Sequence, residues 1–295
     1  MTLPLIYLDG EWVSPEEAKL SVFDHGVLYG DGVFEGIRAY NGRVFKLRQH
    51  MDRLYQSAKI ISLTIPMEQQ KLTAIVEQSI QKNNLTDAYI RLLVTRGVGD
   101  LGLDPRACPN PSIVVIADKL ALFPERCYKE GLEAIFAKTR RNLVEAMNPI
   151  VKSMNYLNNI LAKIEANNKG VPEAILLNYE GYVSECTGDN VFFIKNKTVF
   201  TPPVSVGVLE GITRSTVMEI LHKISDYSVQ EKLFYPDELL GADEVFFTGT
   251  AAEVIPVTKI DGKPIGSGKP GTITQELMRL FREHTNEESL IPQKN

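Results

Sequence analysis

The sequence predicts a mixed chain of helices and strands in two domains, and three observations predict it. Amphipathic stripes at helical spacing alternate with short apolar runs along the whole chain. At 295 residues, 44% of them hydrophobic, the chain is of the size at which one core usually splits into two. Periodicity then lapses after residue 118, around Pro124, and returns by residue 129. The expected division is a first domain over residues 1–118, a linker over 119–128 and a second domain over 129–295.

Composition narrows the function classes. A net charge of -5 gives no electrostatic reason to expect nucleic acid or an anionic membrane as partner. The opening MTLPLIYLDGEW has no cationic region followed by an apolar run, and no stretch approaches the roughly 20 apolar residues of a membrane helix. A soluble, cytoplasmic protein is expected. Cys108, Cys127 and Cys186 are odd in number and far apart, which argues against a disulfide framework. His25, His50, His222 and His284 show no ligand spacing, so no metal is expected.

Taken in order, apolar residues 5–8 and 12–13 flank Asp9-Gly10, a hairpin signal. Residues 21–40, SVFDHGVLYGDGVFEGIRAY, carry Gly26, Gly30, Gly32 and Gly36; close backbone packing and simple tight turns account for that density about equally. Asn41-Gly42 turns the chain between residues 37–40 and 44–45, and a helix follows with Leu47, Met51, Leu54, Tyr55, Ala58 and Ile61 on one stripe. Arg53 falls opposite and, on pattern alone, is a surface arginine. A second helix over residues 67–83 presents Leu72, Ile75, Val76 and Ile80. In the strand of residues 88–95, Tyr89, Arg91, Leu93 and Thr95 share one face. Pattern alone favours an amphipathic edge strand over a wall that binds a carboxylate. Residues 97–102, GVGDLG, spell G-x-G-x-x-G, but that fingerprint needs a helix directly after it, and Pro105, Pro109 and Pro111 follow. A flexible loop is expected there, and a strand over residues 112–117 precedes the linker.

The second half is organised around residues 148–170, NPIVKSMNYLNNILAKIEANNKG. A short extended piece delivers Lys152 to a corner, where a helix N-capped by Ser153 begins. Met154, Leu157, Ile160, Leu161 and Ile164 form its apolar stripe, and Gly170 stops it. An amine partly shielded from water loses its proton more easily and becomes nucleophilic, although most single lysines are merely solvated. Strands over residues 132–138 and 174–178 flank this stretch. Glu185 then sits at a strand end beside a glycine-bearing loop, with a strand over 191–194 following. Two later segments suit an anion. Residues 209–214, LEGITR, form a glycine loop entering a helix, whose unpaired N–H groups can hold a phosphate. The strand over 244–247 breaks into small residues that leave the Thr250 hydroxyl and nearby N–H groups accessible. A hairpin at Asp261-Gly262 and a helix from Thr272, with Thr272-x-x-Gln275 as a capping box, finish the chain. Fraying is expected from about Thr285.

An amine at Lys152, a carboxylate at Glu185, a helix-start cradle at Gly211, Ile212 and Thr213, and a nest at Thr250-Ala251 are the parts that pyridoxal 5'-phosphate needs. Its aldehyde condenses with a lysine, its phosphate takes N–H donors and a cation, and a carboxylate keeps its ring nitrogen protonated. At these residues the sequence resembles the class IV aminotransferases, the pyridoxal phosphate enzymes of fold type IV, and among them the branched-chain amino acid aminotransferases. The resemblance is carried along the chain by YGDGVFEGIR from Tyr29, HMDRL from His50, YIR from Tyr89, GDLGLDP from Gly99, KSMNYLNN from Lys152, SECTGDNVFF from Ser184, LEGITR from Leu209 and FTGTAAEVIPV from Phe247.

The resemblance implies two α/β domains with the cofactor in the cleft between them, assembled as a homodimer or larger homo-oligomer. It makes Lys152 the Schiff-base lysine and proton carrier, with Glu185 on the ring nitrogen, Tyr156 on the phenolic oxygen and Leu209 against the ring. Gly211, Ile212 and Thr213, Thr250 and Arg53 would hold the phosphate, which overturns the surface reading of Arg53. For substrate, Tyr89 and Thr250-Ala251 would meet the α-carboxylate, Tyr29, Phe34 and Tyr156 would form the side-chain pocket, and Arg38 would steady it. Arg91 would accept the distal carboxylate of glutamate. The implied reaction is ping-pong transamination of leucine, isoleucine and valine with 2-oxoglutarate, giving branched 2-oxo acids and L-glutamate. Leu122 and Phe123 depart from the Trp and Tyr that several relatives place against substrate. A D-amino acid aminotransferase would show Arg and His after the third strand, which residues 96–105 do not supply. An aminodeoxychorismate lyase would use the same lysine for elimination, and Tyr89-Ile90-Arg91 favours the aminotransferase. Lys152, Glu185 and Tyr156 together argue against a non-catalytic cofactor carrier.

Overall fold

The computed structural model describes residues 4–119, 122–224 and 227–290. Its contacts divide these residues into two compact units. The first comprises residues 4–119, Val151–Tyr156 and 285–290; the second comprises 122–150 and Leu157–His284. Residues 151–156 thus group with the first unit, whereas a single cut at the linker assigns them to the second. Their backbone explains it, because Phe34 N donates to Lys152 O at 3.0 Å and Met154 N to Gly32 O at 2.8 Å.

In the first unit, β1 (Ile6–Leu8) and β2 (Glu11–Val13) make the expected hairpin, and α1 (His25–Tyr29) follows. Next come β3 (Gly32–Tyr40), β4 (Arg43–Val44), α2 (Leu47–Ile60), α3 (Gln69–Lys82), β5 (Ala88–Thr95) and β6 (Ser112–Asp118). The strands form an antiparallel sheet in the order β2-β1-β6-β5-β3-β4. β5 is therefore interior, not the edge strand that its alternation suggests. Val33, Ile37, Ile90, Leu92 and Val94 point to the face covered by Met51 and Leu54 of α2 and by Leu72 and Val76 of α3. Each large aliphatic side chain buried there contributes on the order of 1.5–3 kcal/mol. The other face of the sheet carries the polar and aromatic groups described below. Residues 97–104 form no α-helix and lead into a single 3-10 turn at Pro105–Ala107, so the glycine fingerprint is only a loop.

The second unit starts with α4 (Glu125–Glu130), a short helix where linker was expected; Leu120 and Ala121 of that linker lie outside the described residues. It continues with β7 (Leu132–Phe136), α5 (Leu157–Asn168), β8 (Glu173–Leu177), β9 (Val183–Cys186), β10 (Asn190–Lys195), β11 (Thr198–Thr201), α6 (Ile212–Lys223) and β12 (Ser228–Glu231). Then come α7 (Pro236–Leu240), β13 (Glu244–Gly249), β14 (Glu253–Ile260), β15 (Lys263–Pro264) and α8 (Thr272–Leu290). The sheet runs β12-β11-β10-β13-β14-β7-β8-β9 with β15 on β14, and parallel pairs at β7–β8, β7–β14 and β11–β12. β9 also pairs with β10 through Glu185 and Asn190, so the path from β10 to β9 closes on itself. Its interior is apolar, with Phe193, Phe247, Ile175, Val191 and Ile255 in one cluster.

Four local expectations change. The helix after Lys152 begins at Leu157, and Ser153 is paired in extended backbone with Val33 instead of capping it. Along α5 the buried residues are Asn159, Ala162 and Ala166, while the apolar stripe Leu157, Ile160, Leu161 and Ile164 is 46–61% exposed. At α8 the expected capping box is replaced by Glu244, whose carboxylate accepts from the N–H groups of Ile273 and Thr274 at 3.1 and 2.8 Å. The helix runs to Leu290, past the expected fraying point, and residues 291–295 lie outside the described ones.

Candidate active site

Register puts one set of groups on the open face of the first sheet. Phe34 pairs with Leu93, Gly36 with Arg91 and Arg38 with Tyr89, so Phe34, Arg38, Tyr89 and Arg91 share that face. Gly36 is required there, because a Cβ would lie 2.0 Å from the Tyr89 hydroxyl. Arg91 Nη2 donates to that hydroxyl at 3.3 Å, and its guanidinium carbon stands 4.7 Å from the Phe34 ring centroid. Residues 152–154 extend the sheet beside the start of β3 and bring Lys152 onto the same face. Its Nζ donates to the Tyr156 hydroxyl at 3.1 Å and lies 4.4 Å from the Phe34 centroid. Phe34 and Tyr156 meet edge to face at 5.0 Å. No carboxylate pairs with Lys152 Nζ among the described residues, so the amine is held by a phenol and two π-faces.

The opposite face holds a buried ionic cluster. Glu35 is fully buried and accepts from Arg53 Nε and Nη2, each at 2.7 Å, and from His50 Nδ1 at 2.8 Å. Burial pushes the Glu35 carboxyl up, but the charge of Arg53, then that of His50, and their hydrogen bonds outweigh it and hold it down to about 2. His50 is lowered, since burial outweighs the pull of Glu35. It is therefore neutral near pH 7, and its Nδ1–H donates to the Glu35 carboxylate. α2 thus has two buried faces: the apolar stripe, and a polar one on which His50, Arg53 and Ser57 recur at helical spacing. Ser57 Oγ accepts the Lys152 N–H at 3.2 Å, tying this face to the lysine backbone. The pattern-based surface reading of Arg53 fails because Glu35 offers a buried partner; its side chain is only 12% exposed.

The second unit contributes a second network. Glu185 is buried at the closure of the sheet, where Oε1 accepts from Arg141 Nε at 2.8 Å and Oε2 from Leu209 N at 2.9 Å. Asn190 Nδ2 donates to Leu209 O at 3.0 Å and lies 3.5 Å from Glu185 Oε2. The N-cap of α6 is Gly211, with no side-chain hydrogen bond to the leading N–H groups, and a Cβ there would meet Asn190 Oδ1 at 2.0 Å. Ile212 and Thr213 therefore open α6 directly behind the carboxylate network. Thr250 and Ala251 form the turn between β13 and β14, next to Gly249, whose Cβ position is filled by Asp189 Oδ1.

Of the sequence-predicted residues, Lys152, Tyr156, Phe34, Tyr89 and Arg91 come together in the first unit, with Arg38 on the same face. Arg53 enters the cluster beneath it. Tyr29 is half-exposed at the end of α1, where its hydroxyl donates to Leu101 O at 2.6 Å. Glu185, Leu209, Gly211, Ile212 and Thr213 share the second unit's network. Leu122 is exposed and Phe123 packs into the second unit's core. Sequence reading missed Glu35, His50, Asn190 and Arg141. Glu35 had a signal, as the one charge on the apolar face Val33, Glu35, Ile37 and Ala39 of a strand. Arg141 had none, because its partner Glu185 is distant in sequence.

Residues 32–260 match the model of the amino-transferase class IV family. A Methanocaldococcus jannaschii protein, provisionally named a branched-chain-amino-acid aminotransferase, is 51% identical over 278 residues, covering 94% of this chain and 95% of its own. The Escherichia coli K12 branched-chain-amino-acid aminotransferase is 36% identical over 287 residues, covering 94% of this chain and 91% of its own. Among solved structures, a T.th. branched-chain amino acid aminotransferase complexed with N-(5'-phosphopyridoxyl)-L-glutamate has a TM-score of 0.91 at 36% identity, covering 99% of this chain and 97% of that one.

Proposed function

This chain belongs to the amino-transferase class IV family, and from that premise we propose that it transfers the amino group of branched-chain L-amino acids to 2-oxoglutarate with pyridoxal 5'-phosphate as cofactor. The observation that carries the reading is the setting of Lys152, an amine without an acidic partner among the described residues, seated on the Tyr156 hydroxyl and over Phe34. The donor set fits the cofactor. One amine, one phenol, a fixed carboxylate and a helix start without a side-chain cap match its aldehyde, phenolic oxygen, ring nitrogen and phosphate.

When bound, pyridoxal phosphate supplies an aldehyde that condenses with a primary amine and a protonated ring that draws electrons away from the substrate's Cα. Lys152 Nζ would be the amine for that aldehyde and, once released from it, the atom that takes and returns the α-proton. Tyr156, through its hydroxyl, would steady Nζ and the phenolic oxygen. Glu185 would hold the ring proton, and Leu209 would pack beside the ring. Gly211, Ile212, Thr213, Thr250 and Arg53 would hold the phosphate. Tyr89 and Thr250-Ala251 orient the α-carboxylate, while Phe34, Tyr29 and Tyr156 exclude water from an aliphatic side chain and Arg38 supports that wall. Arg91 receives the distal carboxylate of glutamate. Its position beside Phe34 supports a pocket that takes an aliphatic chain or, through the guanidinium, a carboxylate. In one half-reaction an L-amino acid gives up its amino group and leaves as a branched 2-oxo acid; in the other 2-oxoglutarate leaves as L-glutamate.

A homo-oligomer and a cytoplasmic location belong to the same proposal. The exposed apolar stripe of α5 supports the first. No helix among the described residues is long and apolar enough to cross a membrane. Two experiments test the activity. Borohydride reduction of the loaded enzyme followed by digestion must leave the cofactor on the Lys152 peptide. Donor profiling with 2-oxoglutarate, using both enantiomers, must favour L-leucine, L-isoleucine and L-valine; a preference for D-amino acids would reject the assignment.

A further inference from the structure

Arg141 lies outside every role assigned above, yet it is the cation nearest to hand for the carboxylate of Glu185. Its backbone N–H donates to Leu177 O at 2.9 Å, which fixes the residue at the end of β8. Its side chain is 7% exposed, as is that of Glu185. Nε reaches Glu185 Oε1 at 2.8 Å, and Nη1 donates to Asn158 Oδ1 at 3.0 Å and to Asn159 Oδ1 at 3.4 Å. Those two asparagines are themselves tied down, Asn158 Nδ2 to Arg140 O at 2.7 Å and Asn159 Nδ2 to Thr187 O at 2.9 Å. The guanidinium is therefore clamped from the start of α5 and aimed at one oxygen of the carboxylate.

We propose that Arg141 is a positioning residue that acts through Glu185, pairing its carboxylate with a clamped cation and holding it in one orientation so that it can accept a hydrogen bond from the cofactor's ring nitrogen. The inference rests on the reading of Glu185 given above and deepens it. A buried carboxylate needs a paired cation and fixed hydrogen bonds to stay in place, and without Arg141 one oxygen of Glu185 would lose its partner and the group could turn away from a ring N–H. Arginine suits the task because its guanidinium stays charged and its fork can serve Glu185 and the asparagines at once. Because Arg141 takes Oε1 through Nε, Oε2 is left to the Leu209 N–H and the Asn190 amide. Asn158 and Asn159, which follow Tyr156 in the stretch beginning at Lys152, then have a chemical reason to stand there: they fix the arginine that fixes the glutamate.

The test compares two probes on the full-length chain stripped of cofactor: pyridoxal phosphate and its analogue with carbon in place of the ring nitrogen. A hydrogen bond to a charged carboxylate makes the native chain prefer pyridoxal phosphate on the order of tenfold to a hundredfold in Kd. Arg141→Met, which keeps bulk without charge, should bring the ratio below about threefold, a change that a merely structural arginine would not cause. If Arg141→Met does not fold, Arg141→Lys and Arg141→Gln decide. Lysine retains a cation and must hold the ratio above about tenfold, whereas glutamine retains only a neutral hydrogen bond and must bring it below about threefold. A native ratio in folded Arg141→Met, or equal ratios in the lysine and glutamine variants, overturns the role of Arg141 alone. A native chain that does not discriminate between the probes removes Glu185 from the ring nitrogen and overturns both readings.

Discussion

Replacing Glu35 by Gln asks how the first unit holds Arg53. The substitution keeps the shape of the side chain and removes its charge, leaving a guanidinium buried without its counter-ion. In the native chain burial pushes the Glu35 carboxyl up, but Arg53 and then His50 bring it from 4.5 down to about 2. A carboxyl depressed on folding contributes its full stabilisation above the unfolded value of 4.5, and that contribution is lost as pH falls toward about 2. The shift corresponds to about 3 kcal/mol at pH 7, of which about 2 kcal/mol is gone by pH 3. His50 acts in the same direction: burial first, against Glu35, lowers it from 6.5, so the unfolded chain takes up that proton first and stability drops as pH falls below 6.5. Breaking a buried pair by removing one partner costs about 3–5 kcal/mol. At roughly 2–4 °C per kcal/mol for a chain of this size, Glu35→Gln should melt roughly 6–20 °C below the native chain at pH 7. Paired thermal melts from pH 7 to pH 3 should show the gap narrowing. A variant melting within about 2 °C of the native chain at pH 7, or a gap that stays constant to pH 3, would refute the reasoning.

Other outcomes follow from the same geometry. Lys152→Ala should abolish steady-state turnover, and a near-native single-turnover rate would take the lysine out of the chemistry. Arg91→Ala should lower kcat/KM for glutamate and 2-oxoglutarate on the order of a hundredfold, against less than about threefold for leucine and its 2-oxo acid; equal losses would reject one pocket serving both. Gly36→Ala places a methyl 2.0 Å from the Tyr89 hydroxyl, so steady-state kinetics should show kcat/KM down on the order of tenfold to a hundredfold while the melting curve moves little. Leu161→Glu, on the exposed face of α5, should shift the protein to a smaller species in sedimentation analysis, and an unchanged mass would place the subunit contact elsewhere.

Local periodicity is a property of the chain itself, and where it governs, the sequence was enough. The stripes of α2 and α3 and the alternation of β5 are set by which side chains recur every turn or every second residue, and they bury as that pattern requires. The same holds for the hairpins at Asp9-Gly10 and Asp261-Gly262, where turn chemistry acts within a few residues. The motifs around Lys152, Glu185 and Gly211 were legible for a different reason: they spell a family's chemistry in order. What a side chain meets across the fold is decided only when distant segments pair. Arg53 is buried because β3 brings Glu35 beneath α2, and β5 is interior because β6 covers its far side. The apolar stripe of α5 is exposed because Ala162 and Ala166, being small, let the helix lie close on its other face. Arg141 could be joined to Glu185 only once its backbone N–H pairs with Leu177 at the end of β8, the strand beside β9, a contact between positions that no local pattern links.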